Sequence, residues 1–339
     1  MSLAGEFIID FAREALGLDR PLPIEGAPLS ARGSDRTFYR ITWGEGKSCI
    51  LVHYNPVRTE NGYYAEITQF LAAIGVPAPR LIAHDPGQCL LLMEDMGERD
   101  LWYYREDLWE GRRDLYVKTL EAVHCLHSFD IEDFPRYGVR LMERFGPELY
   151  QWEREYFKEH FMQGSLGLTI EPSCAKRLEG ELAGLAKRLS DTRQCLVHRD
   201  LQSQNIMIRD RMPFLIDYQG MRFGSPFYDL ASLLCDPYVR FSFTEIEDLL
   251  LVYYGMGNKE MEWDVFQGLF WDASAQRLMQ ALGAYGFLGY KKGLTSFLGH
   301  IPAALANLDM AAAKAVSLPC LRELTGKCLK KWGSMHSLS

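Results

Sequence analysis

His198-Arg199-Asp200-Leu201-Gln202-Ser203-Gln204-Asn205 is the stretch on which the reading turns, and Asp217 follows it twelve residues beyond Asn205. It meets every fixed position of the pattern H-R-D-L-x-x-x-N. Two short apolar runs come next, 206–208 (Ile-Met-Ile) and 214–216 (Phe-Leu-Ile), joined by the turn-like Arg209-Asp210-Arg211-Met212-Pro213. Antiparallel pairing with Ile206 opposite Ile216 would set Asn205 opposite Asp217, and opposed Cα atoms in such a ladder lie about 4.5–5.5 Å apart. Two oxygen-bearing side chains then converge beside Asp200, an arrangement suited to a hard cation with bonds of about 2.0–2.1 Å. Singly, each acid reads as a turn residue or a strand-end cap. The full pattern, followed by a hairpin that brings a second acid opposite the asparagine, argues against that plainer reading.

On the N-terminal side, residues 6–16 read as a short amphipathic helix closed by Gly17, and the Pro/Gly stretch Pro21 to Pro28 follows. Residues 37–43 and 48–54 are rich in β-branched and aromatic types and flank Gly44-Glu45-Gly46-Lys47, which predicts a hairpin. A helix over 62–74 and strands over 80–83 and 89–93 complete this part. After Glu94-Asp95-Met96-Gly97 the helical period dominates, over 112–129, 147–162, 173–189, 226–235, 243–254 and 262–286, with 206–216 as the one β interruption. The class predicted is α+β, with a small β-rich lobe (1–93), a hinge (94–97) and a larger helical lobe (98–339). Disorder is expected only at Gly333 to Ser339. His124 and His127 lie on one apolar helix face without nearby acids and read as packed residues, not metal ligands.

The chain has 339 residues and a net charge of −8, room for about two domains and a large core. The acidic balance argues against nucleic acid as a partner. Eight cysteines are scattered without a C-x-x-C pair, so they read as small core residues of a reducing cytoplasm. The opening MSLAGEFIID lacks a signal-peptide layout, and no apolar run approaches the ~18 residues of a membrane span. Nothing calls for an obligate protein partner.

Residues 196–234, LVHRDLQSQNIMIRDRMPFLIDYQGMRFGSPFYDLASLL, resemble the aminoglycoside phosphotransferase and choline kinase superfamily, and most of the chain can be laid along it. The resemblance implies the two-lobed protein-kinase-like fold and ATP- and Mg2+-dependent phosphoryl transfer to a small hydroxylated substrate. Asp200 would accept the proton of the attacking hydroxyl, and Asn205 and Asp217 would hold the metal. Gly33 to Arg40 looks like the nucleotide-binding hairpin, with Ser34 and Arg36 toward the nucleotide. Leu91 to Asp95 looks like the adenine hinge, with Met93, Glu94 and Met96 as contacts. Asp229 and His198 would brace the catalytic loop. A protein kinase fits poorly: Tyr218-Gln219 stands where Phe-Gly is required, and only eleven residues separate Asp217 from Asp229.

One departure concerns the phosphate-binding lysine of the third strand, for which residues 49–53 (Cys-Ile-Leu-Val-His) offer no counterpart. Glu66 is the natural helix glutamate, yet its partner is missing. Arg36, Arg40 and His53 are the candidates for the absent charge, with Arg36 preferred. For the acceptor, residues 271–283 together with the HRD segment resemble bacterial kinases of the anomeric hydroxyl of N-acetylmuramate and N-acetylglucosamine, implying Gln219 and Arg277 as substrate contacts. From Met261 onward eight bases face five acids, against the acidic cleft that an aminoglycoside would want. Trp152 and Trp271 read as core. The alternatives are an aminoglycoside or amino-alcohol phosphotransferase and a pseudokinase-like binding module.

Overall fold

Strands β1 (Ile24–Leu29), β2 (Thr37–Trp43), β3 (Lys47–His53), β4 (Leu81–Asp85) and β5 (Leu90–Glu94) form an antiparallel sheet in the order β1-β2-β3-β5-β4. A computed structural model describes residues 3–29, 35–257, 261–315 and 317–336. The hairpin between β2 and β3 turns on Gly44 and Gly46, both at positive φ. Strand β1 overlaps the Pro/Gly stretch Pro21–Pro28, where the sequence predicted no strand. It is an edge strand, the position that tolerates Pro28.

The two faces of the sheet follow from strand periodicity. Cys49 and Leu51 of β3 and Leu90 and Leu92 of β5 pack with Ile8 and Ala12 of helix α1 (Leu3–Ala15). The alternate residues Val52, Leu91 and Met93 turn the other way, into the core shared with Ile67, Phe70 and Leu71 of helix α2 (Tyr64–Ala73). One face is therefore closed by α1, and the other looks toward the helical part.

The rest is helical, as expected, in α3 (Trp109–His127), α4 (Pro147–Tyr156), α5 (Pro172–Asp191), α6 (Pro226–Leu234), α7 (Phe243–Gly255), α8 (Trp263–Gly286), α9 (Ile301–Lys314) and α10 (Pro319–His336). Helix α10 runs through Gly333 to His336, so most of the expected disordered tail is helix; 337–339 lie outside the described residues. A second β pair, β6 (Cys195–Val197) with β9 (Arg222–Gly224), joins the expected β7 (Ile206–Arg209) and β8 (Met212–Leu215). Among the described residues no helix is long and apolar enough to cross a membrane. The cysteines are free thiols, but only Cys49, Cys195, Cys235 and Cys328 are buried, so the core reading holds for half of them.

The β7–β8 register differs by one residue from expectation: Ile206 faces Leu215, and Arg209 faces Met212. Asp210 and Arg211 both adopt left-handed φ (52° and 59°). They make a two-residue primed turn whose twist matches the flanking strands, so the loop is two residues long. Asp217 consequently leaves the ladder instead of facing Asn205. Ile216 N–H donates to Asn205 O at 3.0 Å, and Asp217 turns into the left-handed region at φ 66°.

Helix α8 is buried almost all round from Phe270 to Gly283 and forms the axis of the helical part. It meets α4 and the π-helical continuation Phe157–Gln163 at glycines. A Cβ on Gly283 would lie 3.0 Å from Phe157 N, and one on Gly286 would lie 2.8 Å from both His160 C and Ser165 Oγ. Gly286→Ala is therefore expected to lower stability by about 1–3 kcal/mol through overpacking, despite alanine's better helix propensity. Gly268→Ala on the same helix meets nothing within 4 Å and should be neutral or slightly stabilising. Urea unfolding of both variants measures the contrast, and equal effects would refute the backbone-contact account.

Candidate active site

The loop after β6 is held from below by Asp229, a fully buried carboxylate in the first turn of α6. Asp229 Oδ2 accepts from His198 N at 2.6 Å, and Oδ1 accepts from Arg199 N at 2.8 Å. His127 Nε2 lies 3.1 Å from Oδ2, and its other ring nitrogen lies 2.7 Å from Tyr253 Oη. His127 is thus the packed histidine expected, and it also orients Asp229. The His198 ring reaches Ile216 O at 2.8 Å, tying the loop to the segment that carries Asp217. Seven residues past Asp229, the buried Asp236 accepts from Ser203 N at 2.8 Å and Ser203 Oγ at 2.6 Å. Sequence reading missed Asp236, which lies just beyond the end of α6 and shares no helix face with Asp229.

Held this way, Arg199 takes φ 77°, a strained conformation for a side chain of its size. Its Nη1 lies 2.6 Å from Asp200 Oδ2, and Arg277 Nη2 lies 3.4 Å from Asp200 Oδ1. Burial pushes the Asp200 carboxyl up, but the two guanidiniums more than offset it, and the group stays below the usual carboxylate range. Asp200 is therefore ionised at neutral pH, with 28% of its side chain exposed. Asn205 Nδ2 donates to Asp200 O at 2.8 Å, which fixes the amide and leaves its oxygen as the end available to a cation.

Asp217 pairs with Arg36, whose Nη1 also donates to Gln219 Oε1 at 3.0 Å. Of the three candidates for the missing charge, Arg36 is the one that faces Asp217. Arg40 is tied to Asp95 at 2.7 Å and Glu98 at 2.7 Å, and His53 packs edge-on against Phe7. Glu66 binds Arg140 at 2.5 Å. Ser34 lies outside the described residues.

Two cavities meet here. One, of about 310 Å³, lies beneath the sheet and is lined by Ile50, Val52, Met93, Met96, Met207 and Ile216, with Glu94, Asn205, Arg36 and Asp217 also on its wall. The other, of about 1000 Å³, is lined by Asp200, Arg199, Gln219, Arg222, Trp152 and Arg58 among others, and again by Arg36 and Asp217. Arg36 and Asp217 therefore form the boundary between a narrow, largely apolar slot and a broad polar chamber. Among the described residues no cluster of three or more His, Cys, Asp or Glu could hold a metal by itself.

Three expectations about the chamber change. Arg277 is 5% exposed and lies outside the chamber lining, gripping Asp200 from behind while its Nε donates to Ser232 Oγ at 2.8 Å. The other basic residues from Met261 onward do not line the chamber either, so that charge balance says nothing about its contents. Trp271 is core, but Trp152 is 50% exposed on the chamber wall, stacked on Tyr156 at 5.0 Å. Helical period alone could not separate the two tryptophans.

A family model described as "Phosphotransferase enzyme family" matches residues 25–269. The chain is 24% identical over 314 residues to an N-acetylmuramate/N-acetylglucosamine kinase of Pseudomonas aeruginosa, covering 89% of this chain and 88% of that one. Identity is 23% over 296 residues to the kinase of the same name from Neisseria meningitidis serogroup B, covering 85% and 86%. Among solved structures, a choline/ethanolamine kinase family protein from Mesorhizobium loti superposes with TM-score 0.61 at 15% identity, covering 93% of this chain and 99% of that one. A streptomycin–ATP–APH(2")-IIa ternary complex does so with TM-score 0.60 at 16% identity, covering 86% and 95%. The fold is that of these kinases, and the chain belongs to the phosphotransferase enzyme family.

Proposed function

We propose that this protein is an ATP-dependent kinase that phosphorylates the anomeric hydroxyl of an amino sugar, N-acetylmuramate or N-acetylglucosamine. The observation that carries phosphoryl transfer is the shared wall: Arg36 and Asp217 face both cavities, Asn205 faces the slot, and Asp200 faces the chamber. A nucleotide with its base between Ile50, Val52, Met207 and Ile216 would bring its last phosphate to that wall. The segment Met93–Met96 would border the base, with residues 94–97 as the hinge between a nucleotide-binding lobe (1–93) and a substrate lobe (98–339). The sugar as acceptor rests on the relatives' names and on the open aromatic face of Trp152, an apolar plane that a pyranose ring can cover.

In this reading the acceptor hydroxyl sits against Asp200. As its oxygen bonds to the γ-phosphorus, the bond from that phosphorus to the β-phosphate oxygen breaks and the hydroxyl proton passes to Asp200. A carboxylate held below its usual range by Arg199 and Arg277 is a weak base. Its main contribution is orientation, which suits a loose transition state, and an anomeric hydroxyl asks less of a base because the ring oxygen makes it more acidic. Arg36 would meet charge developing on the transferred group. Asn205 and Asp217 supply two hard oxygen donors, a set that fits Mg2+, which keeps most of its coordination for phosphate and water. When bound, Mg2+ would neutralise phosphate charge. Free thiols and the use of ATP fit a cytoplasmic setting.

Asp200→Asn is expected to cut kcat by about 10²–10⁴-fold while nucleotide affinity stays near wild type; kcat and nucleotide binding on one preparation test this, and near-normal kcat would refute the assignment. Asp217→Ala should remove most thermal stabilisation by Mg-ATP, and Asn205→Ala less, because Asp217 carries the charge; unchanged stabilisation in Asp217→Ala would exclude the metal site. The product should lose its phosphate on warming in dilute acid, as anomeric phosphates do. An acid-stable sugar phosphate would place transfer on another hydroxyl.

A further inference from the structure

Five arginines among the described residues are buried: Arg36, Arg112, Arg154, Arg222 and Arg277. Four are matched by carboxylates, Arg36 by Asp217, Arg112 by Glu245, Arg154 by Glu179 and Arg277 by Asp200. Arg222 is not. Its Nε donates to Gly220 O at 3.0 Å and its guanidinium stands over the Phe145 ring at 5.2 Å, and neither contact neutralises it. It is 7% exposed and lines the chamber beside Arg199 and Asp200. Burial, the largest effect, and the nearby Arg199 disfavour its charge and outweigh the smaller favourable pull of Tyr228, Asp200 and Glu153, so its pKa is lowered.

A desolvated cation with no carboxylate in direct contact is costly, and the remaining guanidinium nitrogens are left for what enters the chamber. The other chamber arginines do not share this condition. Arg36 and Arg199 are paired, Arg58 binds Asp35 at 3.1 Å, and Arg144 is exposed to water. Arg222 does not line the slot assigned to the nucleotide, so an adenine nucleotide seated there would not complete it.

We propose that Arg222 is a specificity-determining residue that receives a carboxylate carried by the acceptor, so that the chamber favours an acidic amino sugar over its neutral counterpart. This rests on the sugar-kinase reading above and deepens it. A planar guanidinium matches a carboxylate with two parallel hydrogen bonds, a geometry unavailable to a neutral hydroxyl. Between the two sugars in the relatives' names, N-acetylmuramate carries such a group and N-acetylglucosamine does not.

The test compares kcat/KM of the full-length enzyme for N-acetylmuramate, its uncharged methylamide and N-acetylglucosamine. Wild type should favour the acid about 10–100-fold over both neutral sugars, the range for hydrogen bonds to a charged group. In Arg222→Gln the loss should fall mainly on KM for the acid, collapsing the ratio, and Arg222→Lys should restore part of it. Wild type that accepts the methylamide as well as the acid overturns the proposal without any variant. Equal losses on acid and neutral sugars in Arg222→Gln would mark a structural residue, and a rise confined to KM for ATP would assign Arg222 to the nucleotide; either overturns it. Failure of wild type to phosphorylate any of the three sugars would sink the sugar-kinase reading itself, and this inference with it.

Discussion

Asp229 has no contact with solvent, and its two oxygens take hydrogen bonds from His198 N, Arg199 N and the His127 ring. Backbone donors buried without a partner would cost about 1–3 kcal/mol each, so the carboxylate dictates where the loop can lie. Everything downstream depends on that placement. Arg199 is forced into the left-handed region, its guanidinium folds back on Asp200, and the His198 ring reaches Ile216 O to locate the turn at Asp217. Asp236 repeats the device at Ser203. One acid in the first turn of α6 and one just past its C-terminal end thus fix both halves of the loop.

The charges of the site are arranged in layers. Asp200 and Asp217 face open space, but each is held by arginine: Arg199 and Arg277 for the first, Arg36 for the second. Behind them Glu153 is wholly buried, accepting from Tyr228 Oη at 2.7 Å and Gln276 Nε2 at 2.9 Å, and burial raises its pKa. Fixed charges of this kind need little reorganisation when a reaction shifts charge between the cavities. The rigidity comes from α8, which delivers Gln276 and Arg277 from a buried position, and its close approach to α4 is set by Gly283 and Gly286.

The sheet solves a different problem. Its strand period sends Cys49, Leu51, Leu90 and Leu92 under α1 and leaves Ile50, Val52 and Met93 to roof the slot. Val52 faces the slot from the third strand, and cationic character enters instead from Arg36, just ahead of β2. Glu66 takes Arg140 as its partner from the segment before α4. The partners of Asp217 and Glu66 thus come from elements distant in the chain.

The sequence by itself determined what local chemistry can determine. The HRD motif and its hairpin, the alternating strands, the helix runs and the change of texture after Gly97 all rest on contacts within a few residues, and the structure has them. It could not determine the β7–β8 register, because two left-handed residues at Asp210 and Arg211 shorten the turn by one residue and no hydrophobic period reports φ. Nor could it separate Trp152 from Trp271, or place Arg277 behind Asp200 and Arg222 beside it. Those outcomes depend on which face of a helix or strand meets an element many residues away. Burial and charge pairing are properties of the packed molecule, and only the tertiary structure shows which arginine finds its carboxylate and which does not.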